Sequence, residues 1–543
     1  MKKRYYILAL VVFLAIFLRF YKLGQNPPSL TWDEVALGYN AYSLGIDGKD
    51  EFGRFLPYDY LESFGDFKPP VYAYLDILPV KIFGLNEFAV RFPSALFGVL
   101  AVLITYFLTK RIFWNSKSKE LYGLSASLFL AISPWHINLS RAAFEANVST
   151  FFIISGVWLF FVGIKEKKWS LILSVISFVI SMYTFNTARI ISPILIAVLT
   201  VFFRKELIGR KKETLIAAFT AILLILPIAH FLLSSQASLR FKEVNIFSDI
   251  NVIKRTNQEV ENDKNLWWSK ILHNRRLAYG AEYIRHYMDN LSPSFLFIKG
   301  DGNPKFSTQD VGQMYLIELP FLILGILLLF RKREGAWLIV FSWLIISIIP
   351  AATARETPHG LRIEASLPTF QILVAYGLVS ALSFIKSRLS KYQFVVYGLF
   401  FLLLLFNFLY YTHGYYSHYL REYSREWQYG YKESIDYVKS VENKYEQIRI
   451  TTILGRPYIY YLFFTKTNPE IFRKNMIVQR DSFGFVTVSG FLKYRFSDDL
   501  GSIQGNTRKD LYVNIPSRVH PKGTILKDFY LLNRERVLTA YTL

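Results

Sequence analysis

The chain has 543 residues, 52% of them hydrophobic, 17% aromatic and 19% charged, with a mean hydropathy of +0.25. Soluble domains carry about 25% charged residues; the composition excludes a disordered or fibrous chain and argues against an ordinary soluble enzyme, because the apolar surplus comes in long blocks. The formal net charge of +22 points first to nucleic acid, but the cations fall between those blocks, and the absence of cysteine removes disulfides, thiolate metal sites and cysteine nucleophiles.

The N-terminus, MKKRYYILALVVFLAIFLRFY, joins a basic start to an apolar run with no small-residue cleavage site after it. It reads as an uncleaved signal anchor. A bilayer is spanned by about 20 apolar residues, with a range of about 17–25. Comparable blocks lie near 91–109, 120–135, 148–164, 169–185, 188–203, 214–233, 314–330, 335–351, 367–385 and 393–411. With the first they make about eleven spans. Lys2, Lys3 and Arg4 placed on the inner side make the short inner loops basic: Lys110/Arg111/Lys117/Lys119, Lys165/Lys167/Lys168, Arg204/Lys205/Arg210/Lys211/Lys212, Arg331/Lys332/Arg333 and Lys386/Arg388/Lys391. This is the positive-inside pattern, so the net charge is largely a topology signal and no nucleic-acid partner is expected.

Three long segments then fall outside: 21–90, 234–313 and 412–543. In the first, VYAYLDILPVKIFG (71–84) is apolar but short for a span, and an interfacial or re-entrant helix is predicted. The last is long enough for its own domain. It mixes a helical stretch, WQYGYKESIDYVKSVENKY, with strand-like runs, QIRITTIL, IYYLFF, GFVTVSGFL and DLYVNI, which predicts a small α/β domain.

The first outer loop is acidic. Its opening, Thr31-Trp32-Asp33-Glu34, matches a capping box before the helix-forming VALGYNAYSL, with Thr31 capping the amide of Glu34 and Glu34 reaching back. Adjacent helical residues point about 100° apart, so the two acids do not share one target. Asp33 has no capping duty, and helix-start amides favour its ionised form; an ionised carboxylate at a membrane surface is a suitable proton acceptor. Either acid also fits an ordinary helix start. Downstream, Asp66 and Lys68 lie in Gly65-Asp66-Phe67-Lys68-Pro69-Pro70, where the prolines fix the backbone and aim the lysine. Lys68 is a candidate phosphate contact or a cation snorkelling to headgroups.

Cations in short outer loops break the positive-inside pattern. Arg141 lies in SPWHINLSRAAFEANVS, with Glu145 four residues on; Arg189 lies in YTFNTARIISP; Arg355, His359 and Arg362 lie in ATARETPHGLRIEASLP. Each suits a lipid phosphate, and together they suit one anionic lipid headgroup, because the guanidinium fork matches phosphate oxygens. No HExxH spacing, Walker loop or Rossmann fingerprint occurs.

Taken together, TWDEVALGYNAYSLG, GDFKPPVYAYL, NEFAVRFPSALFG, SPWHINLSRAAFEAN and LSPSFLFIKGDGNPKFSTQDVGQMYLIELP resemble the bacterial branch of the protein mannosyltransferase-like enzymes, family 39 of the glycosyltransferase C superfamily, which is related to the aminoarabinose lipid A transferases. The resemblance is strong through about residue 370. It implies an α-helical polytopic membrane protein of the glycosyltransferase C fold, with about eleven transmembrane helices (1–411) and an extracytoplasmic α/β domain (412–543). It also implies transfer of a monosaccharide from a polyprenyl phosphate carrier to a lipid, glycan or protein hydroxyl outside the cytosol. Asp33 matches the family's catalytic acid and Glu34 the second acid of that motif. Lys68 matches the lysine before proline, and Arg141 and Glu145 the polar stretch opening a later span. Arg189 and Arg362 match arginines that hold carrier phosphate, with Asp66, Arg355 and His359 in support. The chain departs from the fungal and animal protein mannosyltransferases in lacking room in 234–313 for their lumenal β-trefoil insert.

On this reading Asp33 takes the acceptor proton, a single displacement inverts the anomeric centre, and Lys68, Arg141, Arg189 and Arg362 stabilise the departing phosphate. No cofactor is identified, and a divalent metal at Asp33 and Glu34 is compatible. The N-terminus would be cytoplasmic and the active site extracytoplasmic, in the plasma membrane. The rival is a transporter or flippase of a lipid-linked sugar. That class places its ionisable residues near the bilayer midplane and often shows inverted repeats; here the polar residues lie in loops and no repeat is evident.

Overall fold

The computed structural model describes residues 2–64, 66–234, 237, 245–480, 485–500 and 509–543. The chain opens with α1 (Lys2–Phe20), α2 (Trp32–Asp47), the hairpin β1 (Leu61–Ser63) and β2 (Asp66–Lys68), α3 (Val71–Phe83), α4 (Glu87–Ile112), α5 (Lys119–Ile132), α6 (Pro134–Ser140) and α7 (Glu145–Lys165). It continues through α8 (Ser170–Met182), α9 (Ala188–Phe202), α10 (Arg204–Ile208) and α11 (Lys211–Leu232). Each apolar block folds as a helix, the later ones over Leu319–Lys332, Trp337–Ala352, Thr369–Arg388 and Gln393–His413. Five helical stretches among the described residues are long and apolar enough to cross a membrane: Glu87–Ile112, Glu145–Lys165, Lys211–Leu232, Glu364–Arg388 and Ser390–Glu422. Three shorter apolar helices accompany them: α8, α9 and Trp337–Ala352.

The helix α3 has 13 residues, a length of about 20 Å at 1.5 Å per residue, which is short of the roughly 30 Å hydrocarbon core. Its buried positions, Tyr72, Ala73, Asp76, Pro79 and Val80, recur at helical spacing. Leu78 and Ile82 on the other face are exposed. One face therefore packs on protein and leaves an apolar edge outward, as an interfacial helix does.

By contacts the chain forms two compact units. The first comprises 1–18, 97–139 and 145–411 and is helical. Its tightest crossing joins Leu319–Lys332 to Thr369–Arg388 through a pair of glycines. A Cβ on Gly325 would stand 2.0 Å from the Leu373 carbonyl oxygen, and one on Gly377 2.0 Å from that of Phe321. The backbones touch, which only glycine permits.

The second unit comprises 19–96, 140–144 and 412–543, so the first loop folds with the C-terminal segment. Its centre is a seven-stranded sheet of order β4-β5-β6-β3-β7-β9-β8. The strands are β3 (Gln447–Thr451), β4 (Met476–Arg480), β5 (Val486–Phe491), β6 (Tyr494–Ser497), β7 (Asp510–Asn514), β8 (Thr524–Tyr530) and β9 (Arg536–Thr542). β3 runs parallel to β6 and β7, and the outer pairs are antiparallel. The helical stretch after Trp427 appears as Tyr431–Val441, and QIRIT, VTVSGF and DLYVN are strands. IYYLFF is not a strand: it lies in the helix Pro457–Phe464, opened by proline in its first turn. Residues 457–463 are all buried, and a short run buried on every side carries no period that separates helix from strand.

Hydrogen bonds explain why this segment folds with the first loop. Asn26 donates to the Tyr415 carbonyl (3.0 Å), Tyr460 to the Leu30 carbonyl (2.9 Å) and Tyr39 to the Thr467 carbonyl (3.0 Å). The Arg473 guanidinium donates to Ser43 Oγ (3.0 Å) and to the Asp50 carbonyl (3.1 Å).

Candidate active site

The start of α2 builds the site. Thr31 is the N-cap in an extended conformation (φ −71°, ψ 160°), and the capping box forms as the sequence predicts. The Glu34 amide donates to Thr31 Oγ1 (3.3 Å), and the Thr31 amide donates to Glu34 Oε2 (2.9 Å). Glu34 does more than cap. Its Oε1 accepts from Arg91 Nε (2.9 Å) and from the Ala143 amide (2.9 Å). Both side chains of the Arg91–Glu34 pair are fully buried. Arg91, on α4, also donates to the carbonyls of Leu23 (3.2 Å), Pro27 (2.8 Å) and Ser29. Glu34 thus ties α2, α4 and the 140–144 segment together, and both of its oxygens are engaged.

Asp33 faces elsewhere, as adjacent helical positions require. Its side chain is 52% exposed and pairs with Lys68 Nζ, whose own side chain is 6% exposed. Lys68 ends β2, paired with Leu61 across the hairpin. Pro69 and Pro70 follow, and Pro70 caps α3. The ammonium stands 5.5 Å over the Phe64 ring, so its stem is buried and its head points at an accessible carboxylate. Asp66, in the same strand, accepts from the Phe67 amide (2.8 Å).

Arg141 is fully buried. Its Nη2 donates to the carbonyls of Tyr21 (2.8 Å) and Asn26 (2.9 Å), and its Nε to the Tyr415 hydroxyl (3.2 Å). The rings of Tyr415 and Tyr416 stand 5.5 and 5.3 Å from the guanidinium carbon. This arginine holds the loop before α2 against the Tyr415 region.

Two further acids of this unit lie inside the protein. Glu51 is fully buried. It accepts from the Tyr458 hydroxyl (3.1 Å), and its amide donates to Asn40 Oδ1 (2.9 Å). Burial, reinforced by Asp50, pushes its carboxyl up to about 8, and Tyr458 and Lys68 oppose the rise. Asp76, on the inner face of α3, is also fully buried. Burial alone holds it well above the carboxylate range. The acidity of the loop was visible; which acids lie inside was not, because burial depends on partners hundreds of residues away.

The remaining sequence candidates belong to the first unit. Arg189, on α9, donates from Nε to the Met182 carbonyl (3.2 Å) and lies 5.4 Å from the Phe231 ring. Glu145 is the first residue of α7. Arg355 donates to the carbonyls of Asn245 (3.3 Å) and Ser248 (3.4 Å). His359 and Arg362 flank Asp301, which sequence reasoning missed inside Gly300-Asp301-Gly302. Asp301 accepts from the amides of Gly360 (2.6 Å) and Asn303 (2.8 Å). Burial pushes its carboxyl up to about 6 while Arg362 draws it down. His359 lies 3.9 Å from Asp301 and 4.8 Å from the Phe306 ring. Burial, then the charge of Arg362, lowers the imidazole to about 3, so it is neutral at ordinary pH. Arg362 itself donates to the Glu356 carbonyl (3.3 Å).

The Asp33–Glu34 pair does not fit a divalent ion. Glu34 has both oxygens committed to Arg91 and backbone amides, and no group of three metal-ligating side chains gathers among the described residues.

Residues 67–231, which include Lys68, α3, α4 and α7, match the model of the dolichyl-phosphate-mannose-protein mannosyltransferase family, in line with the resemblance carried by the motifs. An uncharacterized protein of Aquifex aeolicus is 31% identical over 29% of this chain and 30% of its own length. YkcB of Bacillus subtilis, whose name provisionally makes it a mannosyltransferase, is 25% identical over 30% of this chain. That alignment spans 22% of YkcB, so the matched region is under a third of either relative. Among solved structures, ArnT of Cupriavidus metallidurans is similar over 98% of this chain and 97% of its own, both without ligand (TM-score 0.54, 12% identity) and bound to undecaprenyl phosphate (TM-score 0.54, 13% identity). The oligosaccharyltransferase of Archaeoglobus fulgidus is similar over 86% of this chain and 63% of its own (TM-score 0.51, 13% identity). The fold is the glycosyltransferase C fold expected from the motifs.

Proposed function

We propose that the chain is a membrane glycosyltransferase that moves a monosaccharide from a polyprenyl phosphate carrier to an acceptor hydroxyl on the extracytoplasmic side, with inversion. The observation that carries this reading is the division of labour between two adjacent acids. Glu34 is sealed in structure, whereas Asp33 is half exposed and held by a buried lysine. The family match over 67–231 and the likeness to an ArnT structure bound to undecaprenyl phosphate support the choice of donor.

In the reaction the acceptor oxygen forms a bond to the anomeric carbon. The bond from that carbon to the carrier phosphate breaks, and its electron pair leaves with the phosphate. The acceptor proton passes to the Asp33 carboxylate. Polyprenyl phosphate is a weakly basic leaving group, so departure calls for positive charge rather than a strong acid. Lys68 supplies that charge directly beside the Asp33 carboxylate. Arg189 and Arg362 retain the carrier-phosphate roles inferred from their motifs.

The test is transfer from a labelled polyprenyl-phosphate sugar by the purified full chain. Asp33→Asn should lose transfer by about 10²–10⁴-fold, the usual worth of a positioned base, while still binding the carrier. Near wild-type turnover would remove the base assignment. Movement of labelled lipid between leaflets without release of carrier would favour the transporter instead. Arg362→Ala should weaken donor binding more than acceptor binding; equal losses would count against its phosphate role.

A further inference from the structure

The turn after β3 brings a second cation to the Phe64 ring that Lys68 also meets. β3 lies between two parallel neighbours, β6 and β7. In sheets of this kind ligands collect beyond the carboxyl ends of the strands where the order switches. The chain leaves β3 at Thr451 and enters the helix Pro457–Phe464 through a short turn that contains Gly455 and Arg456.

That turn is seated on the first loop. Gly455 has φ +131°, and a Cβ there would meet the Trp32 ring at 2.6 Å, so the backbone lies flat against the residue that precedes Asp33. The helix that follows is bonded on to the same loop through Tyr458 to Glu51 and Tyr460 to Leu30. Arg456 is therefore placed by backbone contacts rather than by its own side chain.

Its guanidinium carbon stands 5.5 Å from the centroid of the Phe64 ring, and Lys68 Nζ stands 5.5 Å from the same centroid. The Phe64 ring in turn packs edge-on against Tyr458 at 6.2 Å. Other arginines of this unit are neutralised: Arg91 by Glu34, Arg449 by Asp510, Arg473 by Asp47 and Arg480 by Glu62. Among the described residues the Arg456 guanidinium has neither a hydrogen bond nor an ion pair, and it is partly exposed. A fork of five donors, carried on a seated turn, partly exposed and sharing an aromatic platform with the site lysine, suits a phosphate oxygen cluster.

We propose that Arg456 is a substrate-binding residue of the Asp33–Lys68 site, through which the C-terminal domain contacts a phosphate-type oxyanion. This rests on the glycosyltransferase reading above. The oxyanion belongs either to the lipid carrier or to an anionic acceptor, and the two sources are separable.

The experiment measures equilibrium binding of radiolabelled undecaprenyl phosphate to the full chain in lipid nanodiscs, with inorganic phosphate as a second, soluble ligand. Arg456→Gln should weaken one of them by about 10-fold or more, the usual worth of a charge-assisted contact. Arg456→Lys, which keeps the charge and loses the fork, should recover part of the loss. Thermal unfolding of both variants should match wild type, since the side chain holds nothing together. A loss confined to undecaprenyl phosphate assigns the contact to the carrier; a loss confined to inorganic phosphate assigns it to the acceptor. Wild-type binding of both ligands by Arg456→Gln, alongside a loss in Lys68→Met, overturns this inference alone. Wild-type carrier binding by Lys68→Met overturns the reading of the site itself.

Discussion

Replacing the two neighbouring acids by their amides should give opposite phenotypes. Glu34→Gln removes the charge that neutralises Arg91 inside the protein, where both side chains are fully buried. Breaking such a pair by removing one partner costs about 3–5 kcal/mol, because the other charge is left uncompensated. The three carbonyls around Arg91 soften the loss but carry no full charge. Asp33→Asn touches a carboxylate that is 52% exposed, and exposed pairs contribute roughly 0–1 kcal/mol. Each kcal/mol moves Tm by about 2–4 °C in a unit of 150–250 residues. Glu34→Gln should therefore lower Tm by roughly 6–20 °C, and Asp33→Asn by no more than about 4 °C. Heating the purified variants in the same detergent, followed by tryptophan fluorescence, reads both shifts, and the transfer assay on the same samples reads function. Glu34→Gln below its Tm should keep substantial turnover; Asp33→Asn should stay folded and lose it. If Asp33→Asn unfolded as early as Glu34→Gln, or Glu34→Gln matched wild type in Tm, the assignment of structure to one acid and chemistry to the other would be wrong.

Three further outcomes are expected. Glu51 keeps its proton in the folded state up to about 8, against 4.5 when unfolded; its contribution is full below about 4.5 and is lost as pH rises toward 8, at most ~5 kcal/mol. Glu51→Gln should flatten that decline and raise Tm at pH 8, and an unchanged pH profile of Tm would contradict its burial. Gly377→Leu should disrupt the crossing of Leu319–Lys332 with Thr369–Arg388, since even a Cβ meets the Phe321 carbonyl oxygen at 2.0 Å; recovery of folded, monodisperse protein at wild-type yield would show that the crossing is not tight. The chain has no cysteine, so Tyr58→Cys, at a position 64% exposed in the first loop, gives a single labelling site. It should react with an impermeant maleimide on intact cells, and labelling only after permeabilisation would reverse the proposed orientation.

Much of the membrane architecture was legible because its determinants are local. Long runs of apolar residues become helices, and Thr31-Trp32-Asp33-Glu34 states its own helix start within four residues. The strands QIRIT and VTVSGF were legible for the same reason: alternation and β-branching act over a few positions. What escaped notice depends on distance along the chain. Arg91 stands in the quoted motif NEFAVRFPSALFG, yet nothing near it announces a partner 57 positions away. Glu51 reads as one more loop acid until Tyr458, 407 positions on, closes over it. IYYLFF shows a different limit, since burial on every side erases the periodicity that tells a helix from a strand. The Gly-Arg-Pro turn reads in sequence only as a break between elements, because the Trp32 ring that seats Gly455 lies far back in the chain.

The bond between Tyr458 and Glu51 also bears on biogenesis. At synthesis rates of about 5–20 residues per second, the 407 positions between them amount to roughly 20–80 s during which the early acidic loop has emerged and its late companion has not. Nascent chains halted before that companion would carry the first loop without the hydroxyl that Glu51 accepts from. Closure of the first loop around Glu51 is therefore a late event in the synthesis of the chain.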